Sequence, residues 1–228
     1  MLSAFDRQHI MPDRATLLRQ IILYSHLLAA HGFVAAYDGN ISVRTKSGTI
    51  LVTSSGFNKA EISSRSIVEV DATGNVRKGT LKPSTELPMH LSIYRQRNDV
   101  HAIVHAHPPY ATAFATAGQE LPSNVLPEVI VGLGWIPLAP YATPSTDEVG
   151  KSLEPFTRDC DAILLANHGA VTFGNNLRDA YFKMEKLEHY AMIIALARQL
   201  GGEQMLTAEQ LKSLAAVSEK NYGKRIKF

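Results

Sequence analysis

Two histidines one residue apart, His105 and His107, stand at the end of the apolar run VHAIVHAH (100–107), directly before Pro108 and Pro109. On an extended strand, side chains at i and i+2 point to the same face. The two imidazoles therefore look the same way. Buried and unpaired, neutral rings would be costly, and two cations there would repel. A divalent metal removes both difficulties, because neutral imidazole is a good ligand for zinc and similar ions. The prolines end the strand and leave the pair at its C-terminal edge, where sites of α/β proteins usually lie. A lone H-x-H is more often incidental than a metal site, but two further segments strengthen it. LLANHGAV (164–171) sets His168 at the end of a second apolar strand, with Gly169 read as a tight turn. KPSTELPMH (82–90) puts Glu86 in the first turn of a helix. Three imidazoles and one carboxylate suit a tetrahedral site whose carboxylate can leave when substrate arrives. His90, on the helix face of Glu86, is a rival ligand, or more readily a hydrogen-bond partner behind the ligands. An ordinary structural reading is preferred for His9, His26, His31, His101 and His189.

A second constellation is polar and neutral. DGNIS (38–42), TSSGF (53–57) and KPSTE (82–86) offer Gly39, Asn40, Ser54, Ser55, Gly56, Ser84 and Thr85. Small hydroxyls, an amide and exposed backbone N–H groups at a helix start can cradle a phosphate. Any one of these segments is plain turn chemistry. Three together, one running straight into Glu86, point to an anion site.

Positioning these groups requires interleaved strands and helices. The first helix spans Arg14 to His31, with Asp13 as N-cap and Gly32 as stop. Strands follow at NISVRT, TILVTS and SIVEVD, the last closed by the turn ATGN. A helix from Thr85 to about Arg97 precedes the histidine strand, and another runs from Pro109 to Ala117. The stretch from Leu121 to Thr146 is rich in Pro and Gly and holds the short apolar runs EVIVGL and WIPLAPY. Beyond it the pattern predicts a helix over Asp147–Phe156, a buried strand in DAILLANH and its return in AVTFG. A long helix over Leu177–Leu200 and a final one over Thr207–Asn221 complete the pattern. No break in composition divides the chain, which implies one α/β domain over 1–228.

The totals exclude several classes. The 228 residues suffice for one large core. The net charge is only +2, too weak to make nucleic acid or an anionic membrane the main partner. Cys160 stands alone, so no internal disulfide forms, and a reducing cytoplasm fits best. The charged start MLSAFDRQHIMPDR has no apolar signal core, and no apolar run approaches a membrane span. Neither G-x-G-x-x-G nor a Walker loop occurs.

GNIS (39–42), TSSG (53–56), KPSTELPMH (82–90), VHAH (104–107), APYAT (139–143) and NHGA (167–170) together resemble the class II aldolase/adducin family. The pieces occur in family order and cover most of the chain. The resemblance implies an α/β/α fold with a central, mostly antiparallel sheet, assembled as a C4 homotetramer. It implies zinc, or Mn2+, Co2+ or Fe2+ in its place, held by His105, His107 and His168, with Glu86 as ligand and then acid/base. It implies phosphate contacts from Gly39, Asn40, Ser55, Gly56, Ser84 and Thr85. The tail NYGKRI (221–226) resembles that of the family's L-fuculose-1-phosphate aldolases, which makes Tyr222 the tyrosine that reaches a neighbouring site and assists proton transfer. The implied activity is cleavage of a ketose 1-phosphate, such as L-fuculose 1-phosphate or a 5-deoxy- or 5-methylthio-ribulose 1-phosphate. The products are dihydroxyacetone phosphate and an aldehyde, formed through a metal-stabilised enediolate. Competing members of the family are 4-epimerases, with Asp at the Glu86 position, and 3-oxo-4-phosphate acid decarboxylases, which tend to have Lys where this chain has Thr85. Methylthioribulose-1-phosphate dehydratases and metal-free adducin-like scaffolds complete the set. The segment NVLPEVIVGLGW (124–135) carries Glu128 and Trp135 where those fuculose-phosphate enzymes have a tyrosine, so the resemblance does not set the aldehyde half.

Overall fold

The computed structural model describes residues 12–222, with side chains through Lys220. His9 and the tail 223–228 lie outside the described residues. Strands and helices alternate along the chain. The strands are β1 (Asn40–Arg44), β2 (Ile50–Thr53), β3 (Ile67–Val70), β4 (Val76–Lys78), β5 (Ala102–Ala106), β6 (Leu138–Ala139), β7 (Ala162–Leu165) and β8 (Gly169–Gly174). The helices are α1 (Arg14–Ala30), α2 (Leu87–Gln96), α3 (Pro109–Thr116), α4 (Pro127–Gly132), α5 (Asp147–Leu153), α6 (Leu177–Gln199) and α7 (Ala208–Tyr222).

The eight strands of the described residues form one sheet, in the order β4-β3-β2-β1-β5-β8-β7-β6. The sheet is mixed, which corrects the mostly antiparallel one expected. β6 runs parallel to β7, while the other neighbours pair antiparallel. The parallel pair has a physical origin: the chain returns to β7 through α5 rather than through a hairpin. Strand side chains alternate between two apolar clusters. Ile41, Val104, Ala170 and Leu164 join residues of α1, α3, α4 and α6. Val52, Ile103, Val171 and Ile163 join residues of α2 and α5.

Local chemistry sets the ends of the elements. Asp13 caps α1 by accepting from the Thr16 N–H at 2.7 Å. Glu86 is the N-cap residue of α2 rather than part of its first turn, because Pro88 starts the helix late. The short runs of the middle segment become α4 and the two-residue β6. Pro109 and Ala111 mark the start of α3, whose free N–H groups at Tyr110 and Ala111 bond to the Glu188 carboxylate of α6 at 2.9 and 2.8 Å. That bond docks the helix that follows His107 onto the longest helix of the fold.

Candidate active site

The site grows from the sheet's central register. Asn40 of β1 lies opposite His105 of β5, and Ala106 lies opposite Ala170 of β8. His105 is fully buried. Its Nδ1 lies 2.9 Å from the Ala170 carbonyl, which can only accept, so Nδ1 carries a proton. In the neutral ring the Nε2 lone pair is then the free one. That Nε2 lies 3.1 Å from His107 Nε2 and 3.1 Å from Glu86 Oε2. His168 Nε2 lies 3.1 Å from Glu86 Oε1. The ligating atoms of His105, His107 and His168 all fall within 4.8 Å of one another.

This donor set fits a divalent cation. The imidazole nitrogens and the carboxylate face one another at contact distance, an arrangement that repels unless protons or a cation lie among them, and a divalent cation meets all four groups at once. Glu86 Oε1 is buried and, among the described residues, makes no hydrogen bond of good geometry, despite the nearby ring. Burial pushes the Glu86 carboxyl up, but the charge on His105 and His168 outweighs it and holds Glu86 well below the usual carboxylate range. For His105, burial favours the neutral ring while Glu86 pulls it up, and the net direction is up. Burial and the like charges of His105 and His168 push His107 down to about 4. The cluster thus keeps His107 neutral, the form that binds metal.

Asn40 Nδ2 donates to Glu86 Oε2 at 2.8 Å and so orients the carboxylate. Asp38 Oδ2 stands 3.5 Å from His107 Nδ1, behind the nitrogen that faces the cluster. His90 departs from expectation: it bonds to none of these groups. Its Nδ1 pairs with Ser42 Oγ at 2.7 Å, Ser42 Oγ pairs with Tyr94 OH at 2.9 Å, and its Nε2 has no hydrogen-bond partner among the described residues. Full burial drives His90 down to about 3, so it is neutral.

The turn before His168 also differs in detail. Asn167, not Gly169, takes the left-handed conformation, at φ 56°, which Asn tolerates. Gly169 serves instead by lacking a Cβ, which would stand 2.6 Å from Ala106 O and 2.6 Å from His107 Cδ2.

A cleft of about 350 Å³ opens in front of the cluster. Gly39, Asn40, Ser55, Gly56, Ser84 and Thr85 all line it, together with Glu86, His107 and His168. His105 lies beneath. Ser54 touches the cleft, but its hydroxyl is engaged with the Ser66 carbonyl at 2.9 Å. Gly39 has φ +70°, and a Cβ there would meet the His105 carbonyl at 2.8 Å, so no larger residue fits beside the histidine strand. Tyr37, Asp38, Pro144 and Ser145 line the cleft without having been singled out in the sequence. Ser145 reaches Thr85 by a hydroxyl bond of 2.8 Å. Its loop carries turn residues that no local pattern ties to Thr85. Tyr222 ends α7, and its side chain lies outside the described residues. Trp135 of the divergent segment stacks edge-on against Phe156, with centroids 5.8 Å apart, and does not line the cleft.

The family described as "Class II Aldolase and Adducin N-terminal domain" matches residues 19–195. A 5-deoxy-D-ribulose 1-phosphate aldolase of Bacillus thuringiensis is 32% identical over 207 residues, 90% of this chain and 96% of that protein. A 3-oxo-tetronate 4-phosphate decarboxylase of Pectobacterium atrosepticum is 35% identical over 190 residues, 81% of this chain and 85% of that protein. Among solved structures, an L-fuculose 1-phosphate aldolase superposes with TM-score 0.83 at 32% identity, covering 90% of this chain and 97% of the other. The chain belongs to the class II aldolase/adducin family.

Proposed function

We propose that the protein is a metal-dependent class II aldolase that cleaves a ketose 1-phosphate reversibly to dihydroxyacetone phosphate and an aldehyde. The observation that carries this reading is the convergence of the Glu86 carboxylate and three imidazoles behind a neutral hydroxyl-and-glycine cleft. His105, His107 and His168, with Glu86, would hold the ion. When bound, a divalent ion such as zinc supplies Lewis-acid stabilisation to oxygens of the reacting ketose. Gly39, Asn40, Ser55, Gly56, Ser84 and Thr85 bind the phosphate and fix the C1 end. In the cleavage direction the C3–C4 bond breaks, the C4 hydroxyl gives up its proton, and C3 gains one. Glu86, oriented by Asn40, moves the C3 proton. Tyr222 of the tail exchanges the C4 hydroxyl proton. Glu86, largely buried and beside the imidazoles of His105 and His168, suits alternate duty as ligand and base.

The relatives named as a 5-deoxyribulose-phosphate aldolase and L-fuculose phosphate aldolases support this reading. The decarboxylase relative supports a second one, in which the same site acts on a 3-oxo acid 4-phosphate. Thr85 before Glu86 favours the aldolase. The whole chain acts as one three-layer α/β/α domain, in the cytoplasm and as a homotetramer. Among the described residues no helix is long and apolar enough to cross a membrane.

The test is release of dihydroxyacetone phosphate from a ketose-1-phosphate panel, with metal-loaded wild type beside His107→Ala and Glu86→Gln. Release by wild type and a loss of at least about 100-fold in both variants is expected. Metal-loaded wild type that releases none, yet decarboxylates a 3-oxo acid 4-phosphate, would overturn the aldolase reading.

A further inference from the structure

Lys59 lies on the 3-10 turn Lys59–Glu61, just past the TSSGF segment. Its side chain turns inward and only 2% of the residue is exposed. Burying an ammonium is expensive unless it is paired. Here both bonding partners are backbone carbonyls rather than carboxylates: Nζ donates to Phe57 O at 2.8 Å and to Tyr37 O at 3.2 Å. Those carbonyls belong to the two loops that form one wall of the cleft, through Tyr37, Asp38 and Gly39 on one side and Ser54, Ser55 and Gly56 on the other. Asn58 fixes the turn by accepting from the Ala60 N–H at 2.8 Å, so the lysine's place is set by local structure.

The cleft itself shows why a hidden cation is useful. The six groups expected to hold a phosphate are neutral, and Asp38 adds a negative charge to the same lining. Lys82, next in sequence to the cradle, is exposed, where solvent screens it. A charge one peptide layer behind the wall, shielded from solvent, acts on the cleft with little screening.

Building on the phosphate-cradle reading above, we propose that Lys59 is the positioning residue of the anion site: its buried ammonium ties the 37–39 and 54–57 loops together and supplies the positive charge that their neutral groups lack. It touches neither the substrate nor the metal cluster.

Charge linkage makes this readable. Burial holds Lys59 down to about 8, with Asp38 pulling it back up. Glu61 shares its turn, and His26 of α1 bonds to Ile62 O at the turn's end. A bound dianion favours the charged lysine, so anion affinity falls by up to about tenfold per pH unit as pH rises past the free lysine's value. The unfolded chain keeps its lysine protonated up to about 10.5, so it binds more protons than the native state between about 8 and 10.5. Over that window Lys59 makes the ligand-free protein more stable as pH rises, while it makes the cleft weaker for anions.

The experiment is calorimetric titration of the metal-loaded protein with sulfate, a dianion at every pH used, from pH 7 to 9.5. Wild type, Lys59→Arg and Lys59→Met are compared. Wild-type affinity should fall about tenfold or more across the range. Lys59→Arg should retain the pH 7 affinity and lose the pH dependence, because its charge persists. Lys59→Met should bind about tenfold more weakly at pH 7, with a flat profile. A flat wild-type profile, or equal affinity in Lys59→Met, would overturn the proposal. If Lys59→Met does not fold, the wild-type and Lys59→Arg profiles decide. Wild type that binds no sulfate at any pH would instead overturn the cradle reading itself, and this inference with it.

Discussion

Gly169→Ala is the sharpest probe of how the site is built. A Cβ on Gly169 would stand 2.6 Å from the Ala106 carbonyl oxygen and 2.6 Å from His107 Cδ2, where ordinary contact begins near 3.4 Å. Something must therefore move by about 0.8 Å, the difference between those distances. Neither neighbour can yield freely: Ala106 is locked opposite Ala170 in the β5–β8 ladder, and His107 belongs to the histidine cluster. Overpacking of this kind costs about 1–3 kcal/mol. For a chain of this size that lowers Tm by about 2–12 °C. Metal–nitrogen bonds tolerate only ~0.2 Å, so the shift should also cost about 10- to 100-fold in metal affinity. The matched control is Gly48→Ala, in the β1–β2 turn, where φ is +82° but nothing lies within 4 Å of the added carbon. It should cost about 1 kcal/mol through backbone strain alone and leave metal affinity intact. Thermal melts and chelator competition measure both quantities. A Gly169→Ala protein with wild-type metal affinity and a Tm no lower than that of Gly48→Ala would refute the packing argument.

Ser42→Ala strips the partner from His90 Nδ1 and Tyr94 OH, both buried. Denaturant melts should show a loss of about 1–3 kcal/mol with metal content unchanged; a loss below about 0.5 kcal/mol would mean the buried chain is not needed for stability. Burial pushes the Glu69 carboxyl up, but hydrogen bonds from Arg14 and Thr49, each 2.8 Å, and the Arg14 charge bring it below its ordinary value. A lowered carboxyl stabilises the fold above its unfolded value, and that stability is lost as pH falls through the folded one. Arg14→Gln should therefore cost no more than about 1 kcal/mol at pH 7, with the gap to wild type closing toward pH 3. A gap that holds constant across that range would contradict the sign of the shift.

What the sequence disclosed follows from how local each signal was. The pairing of His105 and His107 rests on short-range chain geometry, although β5 ends at Ala106 and His107 stands one residue past it, and the α1 N-cap at Asp13 rests on the four residues to Thr16. That the three polar segments DGNIS, TSSGF and KPSTE belong together was legible from their shared Ser, Asn and Gly chemistry, and one cleft gathers them. Long-range features were not legible. Whether β6 would run parallel to β7 depends on where α5 returns the chain, which no two-residue strand can announce. His90 shares a helix face with Glu86, yet the packing of α2 against β1 gave its ring to Ser42. Asp38 and Ser145 join the cleft through folding of loops that carry only turn chemistry. Lys59 carried no signal in the sequence, because local patterning cannot show that the Tyr37 carbonyl, 22 residues away, will join that of Phe57 in enclosing it.

The register that brings His105 opposite Asn40 and Val171 has a consequence for how the protein matures. The three clustered histidines come together only once β5 has zipped to β8, and Asn40 meets Glu86 beside them only once β1 has zipped to β5, across long intervals of chain. Closing such loops is slow and entropically costly. A cation cannot therefore seed this fold as it seeds a zinc finger, whose ligands gather over a short stretch. Loading would come last, as a seal on a finished sheet. In a refolding time course, metal uptake would lag behind recovery of strand structure, and the lag would report how long the central strands take to find their partners.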